Sequence, residues 1–234
     1  MWKEIKADLN AALARDPAAR SKWEVILTYS GFRALVLYRY AHWFYVRKHH
    51  LIAKLISARA KKKTGIEIHP GAVIGSGIFI DHGTGVVIGE TTEIGNNVTI
   101  YQGVTLGGTG KDVGKRHPTL EDDVMVSAGA KVLGPVVIGK GSKIGAGSVV
   151  LKNVPPYCTV VGVPGRVVRR FGEKYVDEMD QKLPDPVLEE FARLNKRISK
   201  LEDQLGIRTC RYSIAQTDEN PIPAENPCPV DKQE

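Results

Sequence analysis

An aliphatic residue returns every six positions through the middle of this chain, a spacing that fits neither the 3.6-residue turn of an α-helix nor the two-residue alternation of a strand. Ile68, Ile74 and Ile80 open the series; Ile88, Ile94, Ile100 and Leu106 continue it in a second phase; Leu120, Val126, Val132, Ile138, Ile144 and Val150 complete it in a third. Repetition at this period marks a parallel β-helix, in which each flat face takes one hexad and three hexads close a coil of about eighteen residues. The aliphatic side chains are then expected to point inward and stack. A β-sandwich would alternate with period 2, and a glycine-rich linker would carry no ordered aliphatics. Period alone gives no left hand, since parallel crossovers are right-handed in about 98% of cases.

The glycines follow the same segment: of 24 in the chain, all but Gly31, Gly172 and Gly206 lie between Gly65 and Gly165. Several come directly after a stacked aliphatic, as in Ile74-Gly75, Ile88-Gly89, Ile94-Gly95, Ile138-Gly139 and Ile144-Gly145. A corner there is expected to need φ values that a Cβ resists.

Residues 1–63 read as helical, with Ile5, Leu9, Ala12 and Leu13 and later Leu35, Tyr38, Ala41 and Tyr45 at three and four spacing, and Pro17 between the two patterns. Lys61-Lys62-Lys63 before Gly65 marks the exit into a coiled domain over 64–170. A linker and heptad-patterned helix are expected over 171–206, where Val187, Phe191, Leu194, Ile198, Leu201 and Leu205 alternate spacings of four and three. Residues 207–234, rich in Pro, Asn, Asp and Glu, read as a flexible tail.

Hydrophobic residues at 42% and charged residues at 25% are ordinary for a globular chain. A net charge of +7 ranks anionic partners only weakly, and nothing in the pattern selects nucleic acid or membrane. Cys158, Cys210 and Cys228 form no C-x-x-C pair, which argues against a disulfide framework or a thiolate metal site and for a reducing, cytoplasmic setting. The N-terminus has acidic residues and no unbroken apolar core, so no secretion signal is expected.

The period breaks twice, and an even solenoid gains nothing structurally from interruption. Two extra residues fall between Ile80 and Ile88, and eight beyond one hexad fall between Leu106 and Leu120, which must leave the coil as a loop. Each break carries a histidine, Asp81-His82 in the first and Arg116-His117 in the second. Imidazole accepts a proton near neutral pH, so these two are candidate bases, while His42, His49 and His50 read as packed or solvated helix positions. Glu67 precedes His82 by fifteen residues, nearly one coil, and a carboxylate at that level would orient the ring. GGTGK fails as a phosphate loop at Thr105 and Asp112, and His69, His82 and His117 stand too far apart for the paired zinc histidines of a β-helical carbonic anhydrase.

The segments IHPGAVIGSGIFIDHGTGVVIGETTEIG, VTLGGTGK, KRHP and KIGAGSVV, together with ARDPAARSKWEVILTYSGFRALVLYRYAHW, resemble the bacterial serine acetyltransferases of the hexapeptide acyltransferase superfamily over roughly residues 10–170. The resemblance implies a mostly β chain with an α-helical N-terminal region, a left-handed parallel β-helix and a C-terminal helix. It also implies a homotrimer, or a dimer of trimers, with acetyl-CoA and L-serine meeting in the cleft between subunits, and no metal. His82 takes the place of the general base, and Glu67 that of its acidic partner, elsewhere aspartate. Asp16 and Asp81 match the acids for the substrate ammonium, and Arg116 and His117 match the residues for its carboxylate. A guanidinium forks onto a carboxylate while acids pair with an amine, a division suited to a free amino acid. Acetyl-CoA is expected along Gly108, Thr109, Ala128 and Ala146, with Lys152 and Arg166 nearby. The implied product, O-acetyl-L-serine, places the chain in cysteine biosynthesis, with L-cysteine as a feedback inhibitor. Family members often end in an isoleucine that inserts into O-acetylserine sulfhydrylase; the ending Asp231-Lys232-Gln233-Glu234 argues against that complex.

Overall fold

The computed structural model describes residues 1–110, 114–171, 173–174, 193–194, 196–198, 201 and 204, and the chain divides into two compact units, Met1–Val176 and Asp177–Glu234. In the second unit the described residues are helical, and Leu194, Ile198 and Leu201 are exposed. Val187, Phe191 and Leu205 of the heptad series lie outside the described residues, as do Cys210, Cys228 and the tail from 207.

Four helices open the first unit: α1 (Trp2–Arg15), α2 (Lys22–Thr28), α3 (Ser30–Val46) and α4 (His50–Thr64). Asp16-Pro17 follows the end of α1, since proline both removes a donor and restricts the residue before it. Ser21 caps α2 by accepting from the Glu24 N–H at 3.2 Å. Gly65, at φ 71°, closes α4, with Lys61, Lys62 and Lys63 in the last turn where the helix dipole favours cations. Among the described residues no helix is long and apolar enough to cross a membrane.

Among the described residues fourteen short strands then wind through three parallel sheets. The first sheet holds β1 (Glu67–Ile68), β4 (Val87–Ile88), β7 (Thr105–Gly107), β10 (Lys131–Leu133) and β13 (Val149–Val150). The second holds β2 (Val73–Ile74), β5 (Glu93–Ile94), β8 (Thr119–Leu120) and β11 (Val137–Ile138). The third holds β3 (Phe79–Ile80), β6 (Thr99–Ile100), β9 (Met125–Val126), β12 (Lys143–Ile144) and then β14 (Cys158–Val161), where β15 (Arg166–Arg170) and β16 (Glu173–Lys174) turn back antiparallel. This is the hexapeptide-repeat β-helix that the period predicts. In the first sheet Ile68 pairs with Ile88, Ile88 with Leu106, Leu106 with Val132 and Val132 with Val150, so the coil repeat is eighteen residues except where the two insertions lengthen it.

All thirteen aliphatics of the series are buried. A second inward column lies two residues earlier in each hexad, through Ile66, Ala72, Ile78, Val86, Thr92, Val98, Val104, Val124, Ala130, Val136, Ser142 and Ser148, all buried as well. Each fully buried Ile, Leu or Val contributes roughly 1.5–3 kcal/mol, so the paired columns supply the hydrophobic core of the coil. The glycines after the aliphatics have a different cause from the one expected. Gly75 is not in the left-handed region; a Cβ there would come 2.6 Å from the carbonyl oxygen of Gly95 on the next coil. The left-handed corner falls two residues further on, at Gly77 (φ 71°), and its equivalent one coil up is Asn97 (φ 59°).

The helices are fastened to the coil by a buried ion pair. Asp8 on α1 is 1% exposed and Arg39 on α3 is 7% exposed. Asp8 Oδ2 accepts from Arg39 Nε at 2.9 Å and Nη2 at 2.7 Å, and Asp8 Oδ1 accepts from the Ile78 N–H at 3.0 Å. Arg39 Nη2 also donates to the Gly75 carbonyl at 2.8 Å, so one pair joins two helices and two coil positions. Replacing Asp8 with Ala strands the Arg39 charge in the interior. We expect a loss of about 3–5 kcal/mol in unfolding free energy, read from urea denaturation; a change under ~1 kcal/mol would remove this pair as the fastening.

Candidate active site

The first insertion forms a wide corner between the third and first sheets. His82 sits there in the left-handed region (φ 55°), followed by Gly83 (φ 78°) and Gly85 (φ 77°). The start of α3 braces this corner: Ser30 Oγ donates to the His82 carbonyl at 2.9 Å, and Gly31 lies where any Cβ would strike the Ile80 carbonyl oxygen at 2.0 Å. The bend turns the His82 side chain outward, 73% exposed, with Nε2 3.9 Å from Asp81 Oδ1.

A cleft of ≈ 330 Å³ opens beside it, lined by Asp16, Tyr29, Ser30, Asp81 and His82 among others. Three residues singled out from the sequence, Asp16, Asp81 and His82, therefore meet in one place. Asp16 Oδ2 accepts from the Tyr29 hydroxyl at 2.6 Å and Oδ1 from the Ala18 N–H at 2.8 Å. The Tyr29 hydrogen bond, then that of Ala18, holds the Asp16 carboxyl below its usual range, and the same bond pushes the Tyr29 phenol up to about 12. A fixed carboxylate beside an accessible imidazole suits a cationic ligand that also presents a proton.

Arg116 and His117 occupy another corner, between the first and second sheets. Arg116 Nη2 donates to Glu90 Oε2 at 2.5 Å, and Glu90 Oε1 accepts from the Tyr45 hydroxyl at 3.1 Å. Thr91 anchors the returning loop: its hydroxyl oxygen accepts from the N–H groups of Arg116 at 3.0 Å and His117 at 3.1 Å. His117 Nδ1 faces both the Thr91 N–H at 3.2 Å and its hydroxyl at 2.9 Å. With Nδ1 accepting, the proton of the neutral ring is assigned to Nε2. The imidazole lies over Gly89, where a Cβ would come 2.0 Å from His117 Cδ2. Burial, then the Arg116 charge, lowers the His117 pKa, while the Arg116 hydrogen bond lowers that of Glu90.

The two corners are separated by one sheet face, Gly85 to Gly89, roughly 15 Å of extended chain. Glu67 lies on β1 at the edge of that face, its Oε2 2.6 Å from Lys61 Nζ. The acyl-carrier candidates divide between the corners. The Gly147 N–H donates to the Ala128 carbonyl at 2.9 Å and the Gly129 N–H to the Gln102 carbonyl at 2.8 Å, which stacks Gln102, Ala128 and Ala146 above the His82 corner. Gly108 lies against the Arg116 main chain, where a Cβ would be 3.1 Å from its carbonyl oxygen, and Thr109 Oγ1 lies against Gly134. Lys152 and Arg166 are exposed, and residues 111–113 of the loop lie outside the described residues. Tyr29, Glu90, Thr91 and Tyr45 were missed from the sequence. For Glu90 and Thr91 a signal existed, because Ile94 pairs with Leu120, and counting back four and three residues sets Glu90 under Arg116 and Thr91 under His117.

The family model "Serine acetyltransferase, N-terminal" matches residues 1–36, and "Bacterial transferase hexapeptide (six repeats)" matches residues 117–152. The chain is 57% identical to a serine acetyltransferase of Bacillus subtilis over 91% of its own length and 98% of that protein. Among solved structures, a Neisseria gonorrhoeae serine acetyltransferase is 46% identical with a TM-score of 0.71, over 72% of this chain and 66% of that one, so this chain spans just under two thirds of its length. The Neisseria protein has also been solved in complex with serine, at 44% identity and a TM-score of 0.69 over 70% of this chain and 68% of that one. A Brucella abortus serine acetyltransferase in complex with coenzyme A is 44% identical with a TM-score of 0.70, over 72% and 68% of the two chains. A further serine acetyltransferase, in complex with cysteine, is 45% identical with a TM-score of 0.70 over 71% and 69%.

His117 gives a direct check on this geometry. Its folded pKa is depressed, so the unfolded chain takes up the proton first as pH falls, and the stability from keeping the ring neutral is present above pH ~6.5 and lost below it. An NMR titration of the His117 ring is expected to give a midpoint below ~6.5, and a midpoint above that value would contradict the burial and Arg116 contact described.

Proposed function

The chain belongs to the serine acetyltransferase family, and from that membership we propose that it transfers the acetyl group of acetyl-CoA directly to the hydroxyl of L-serine, with His82 as general base. The observation that carries this reading is the division of charge between the two corners: acids and an exposed imidazole at one, an anchored guanidinium at the other. L-Serine presents an ammonium for Asp16 and Asp81, a hydroxyl for His82 and a carboxylate for Arg116 and His117.

In the reaction, His82 takes the hydroxyl proton as the serine oxygen attacks the thioester carbonyl. The tetrahedral intermediate bears an oxyanion, for which main-chain N–H groups of the coil are the available donors. Collapse breaks the C–S bond, and the imidazolium returns its proton to the departing thiolate, giving O-acetyl-L-serine and coenzyme A. Glu67 is proposed as the acid that steadies the charged ring. Its present partner is Lys61, and an exposed pair of that kind is worth only ~0–1 kcal/mol, so giving it up costs little. The pantetheine arm would run along Ala128 and Ala146 of one subunit and Gly108 and Thr109 of its neighbour, with Lys152 and Arg166 toward the phosphates. The Brucella complex with coenzyme A supports the co-substrate, and the Neisseria complex with serine supports the acceptor. L-Cysteine has the same charged ends as serine and a thiol for its hydroxyl, and the cysteine complex of a relative supports its role as a feedback inhibitor.

The distance between the corners supports a site shared between two copies of the chain. A homotrimer, single or paired into a hexamer, would bring the Asp16–Asp81–His82 corner of one copy to the Arg116–His117 corner of the next.

Two measurements test this. Release of free thiol from acetyl-CoA is expected with L-serine and not with sugar hydroxyls, and His82→Ala is expected to lower kcat by about 10²-fold or more; turnover unchanged by the substitution would assign the base elsewhere. Separately, inactive His82→Ala and Arg116→Ala chains, unfolded together and reassembled, are expected to regain about a quarter of wild-type activity, the fraction of neighbour pairs with both corners intact. No recovery would place both corners' chemistry within single subunits.

A further inference from the structure

We propose that Glu90, clamped by Tyr45, is a positioning residue that sets the enzyme's discrimination for an amino-acid carboxylate by holding Arg116 ready to receive it. The inference rests on the acetyl-transfer reading above and assigns a role to two residues which that reading leaves unused.

Arg116 is partly exposed and stands near the end of the loop between β7 and β8, where a long side chain ordinarily samples many rotamers. Fixing such a side chain on binding costs rotamer entropy, which a preformed contact removes in advance. Glu90 supplies that contact. Its two oxygens are separately engaged, Oε2 by Arg116 Nη2 and Oε1 by the Tyr45 hydroxyl at 3.1 Å, so the carboxylate is fixed from both sides. Among the described residues Glu90 takes one N–H of a guanidinium that carries five, which gives an incoming carboxylate others to meet. The main chain beneath is pinned by Thr91, which holds the Arg116 N–H at 3.0 Å, so backbone and head group are both set before ligand arrives.

Tyr45 ties this arrangement to the helical region. It stands in the last turn of α3 with its ring against Gly71, where a Cβ would come 3.1 Å from the phenol oxygen, and its ring also meets those of His50 and His69 edge-on. The other end of the same helix braces His82 through Ser30. One rigid rod of 17 residues, ~25 Å long, therefore fixes the aim of both corners. The groups facing Glu90 are Arg116, Tyr45 and His69; the Arg116 bond is foremost in keeping its carboxyl ionised.

The test compares two acceptors, L-serine and L-serinamide, which share the ammonium and hydroxyl and differ in the carboxylate. For the wild type, Glu90→Gln and Tyr45→Phe, kcat/KM is measured for each acceptor at saturating acetyl-CoA, with circular dichroism melts in parallel. We expect the serine-to-serinamide preference to fall by about tenfold or more in Glu90→Gln and by a smaller factor in Tyr45→Phe, through KM for serine, with KM for acetyl-CoA unchanged, and Glu90→Asp to restore part of the preference. A general structural defect lowers both acceptors together and leaves the ratio where it was. A preference unchanged in Glu90→Gln overturns the proposal even if overall activity falls. A wild type that acetylates neither acceptor overturns the underlying reading instead, and the proposal with it.

Discussion

Everything in this molecule is subject to one geometric constraint: a parallel coil must place each inward side chain directly over its counterpart one turn away. Leu106 sits between Ile88 and Val132 because both its neighbours in the sheet are set by hydrogen bonds that admit no slippage without turning the core outward. Length changes are then tolerated only where the chain leaves a flat face, at the corners. The chemistry follows from this. Extra residues appear after β3 and after β7, and each yields an exposed or aimed side chain that a regular coil would have buried or flattened. His82 owes its exposure to two inserted residues, and Arg116 its position to the return of a loop onto Glu90 and Thr91.

The same geometry separates the charges of the site. Negative groups gather where α1, the α1–α2 turn and the first corner meet, and a guanidinium stands one face away. In the homotrimer proposed above, a cyclic arrangement of copies would bring opposite corners together, so that the repeat which keeps the corners apart in one chain would build a site between chains. The coil also supplies columns of small residues, Ala128 and Ala146 among them, and the proposed path of acetyl-CoA follows them because they leave backbone close at hand.

The helical region serves as more than a cap. The buried Asp8–Arg39 pair binds α1 and α3 to the main chain of the coil, an arrangement whose desolvation is offset only because every oxygen of Asp8 finds a donor. Held in that way, α3 reaches from Ser30 under His82 to Tyr45 beside Glu90. Rigidity of this element matters because the His82 imidazole, the proposed base, projects from a left-handed bend that has no regular structure of its own.

Period, phase and interruption were legible in the residues themselves: the six-residue spacing required the coil, its phase determined which residues stack, and the two breaks marked where His82 and Arg116 leave it. These were readable because a solenoid's long-range contacts recur at fixed sequence distance, so local pattern carries tertiary information. Counting within that phase also reaches Glu90 and Thr91, although a histidine draws attention before a threonine does. Tertiary structure alone decided the rest. Asp8 with Arg39, Tyr29 with Asp16 and Tyr45 with Glu90 join helices that share no period with the coil, and no spacing rule links them. It was likewise folding that showed Gly75 and Gly89 to be required by a neighbour one turn away rather than by their own backbone angles, because sequence records the absence of a Cβ and only the packed coil shows what would have met it.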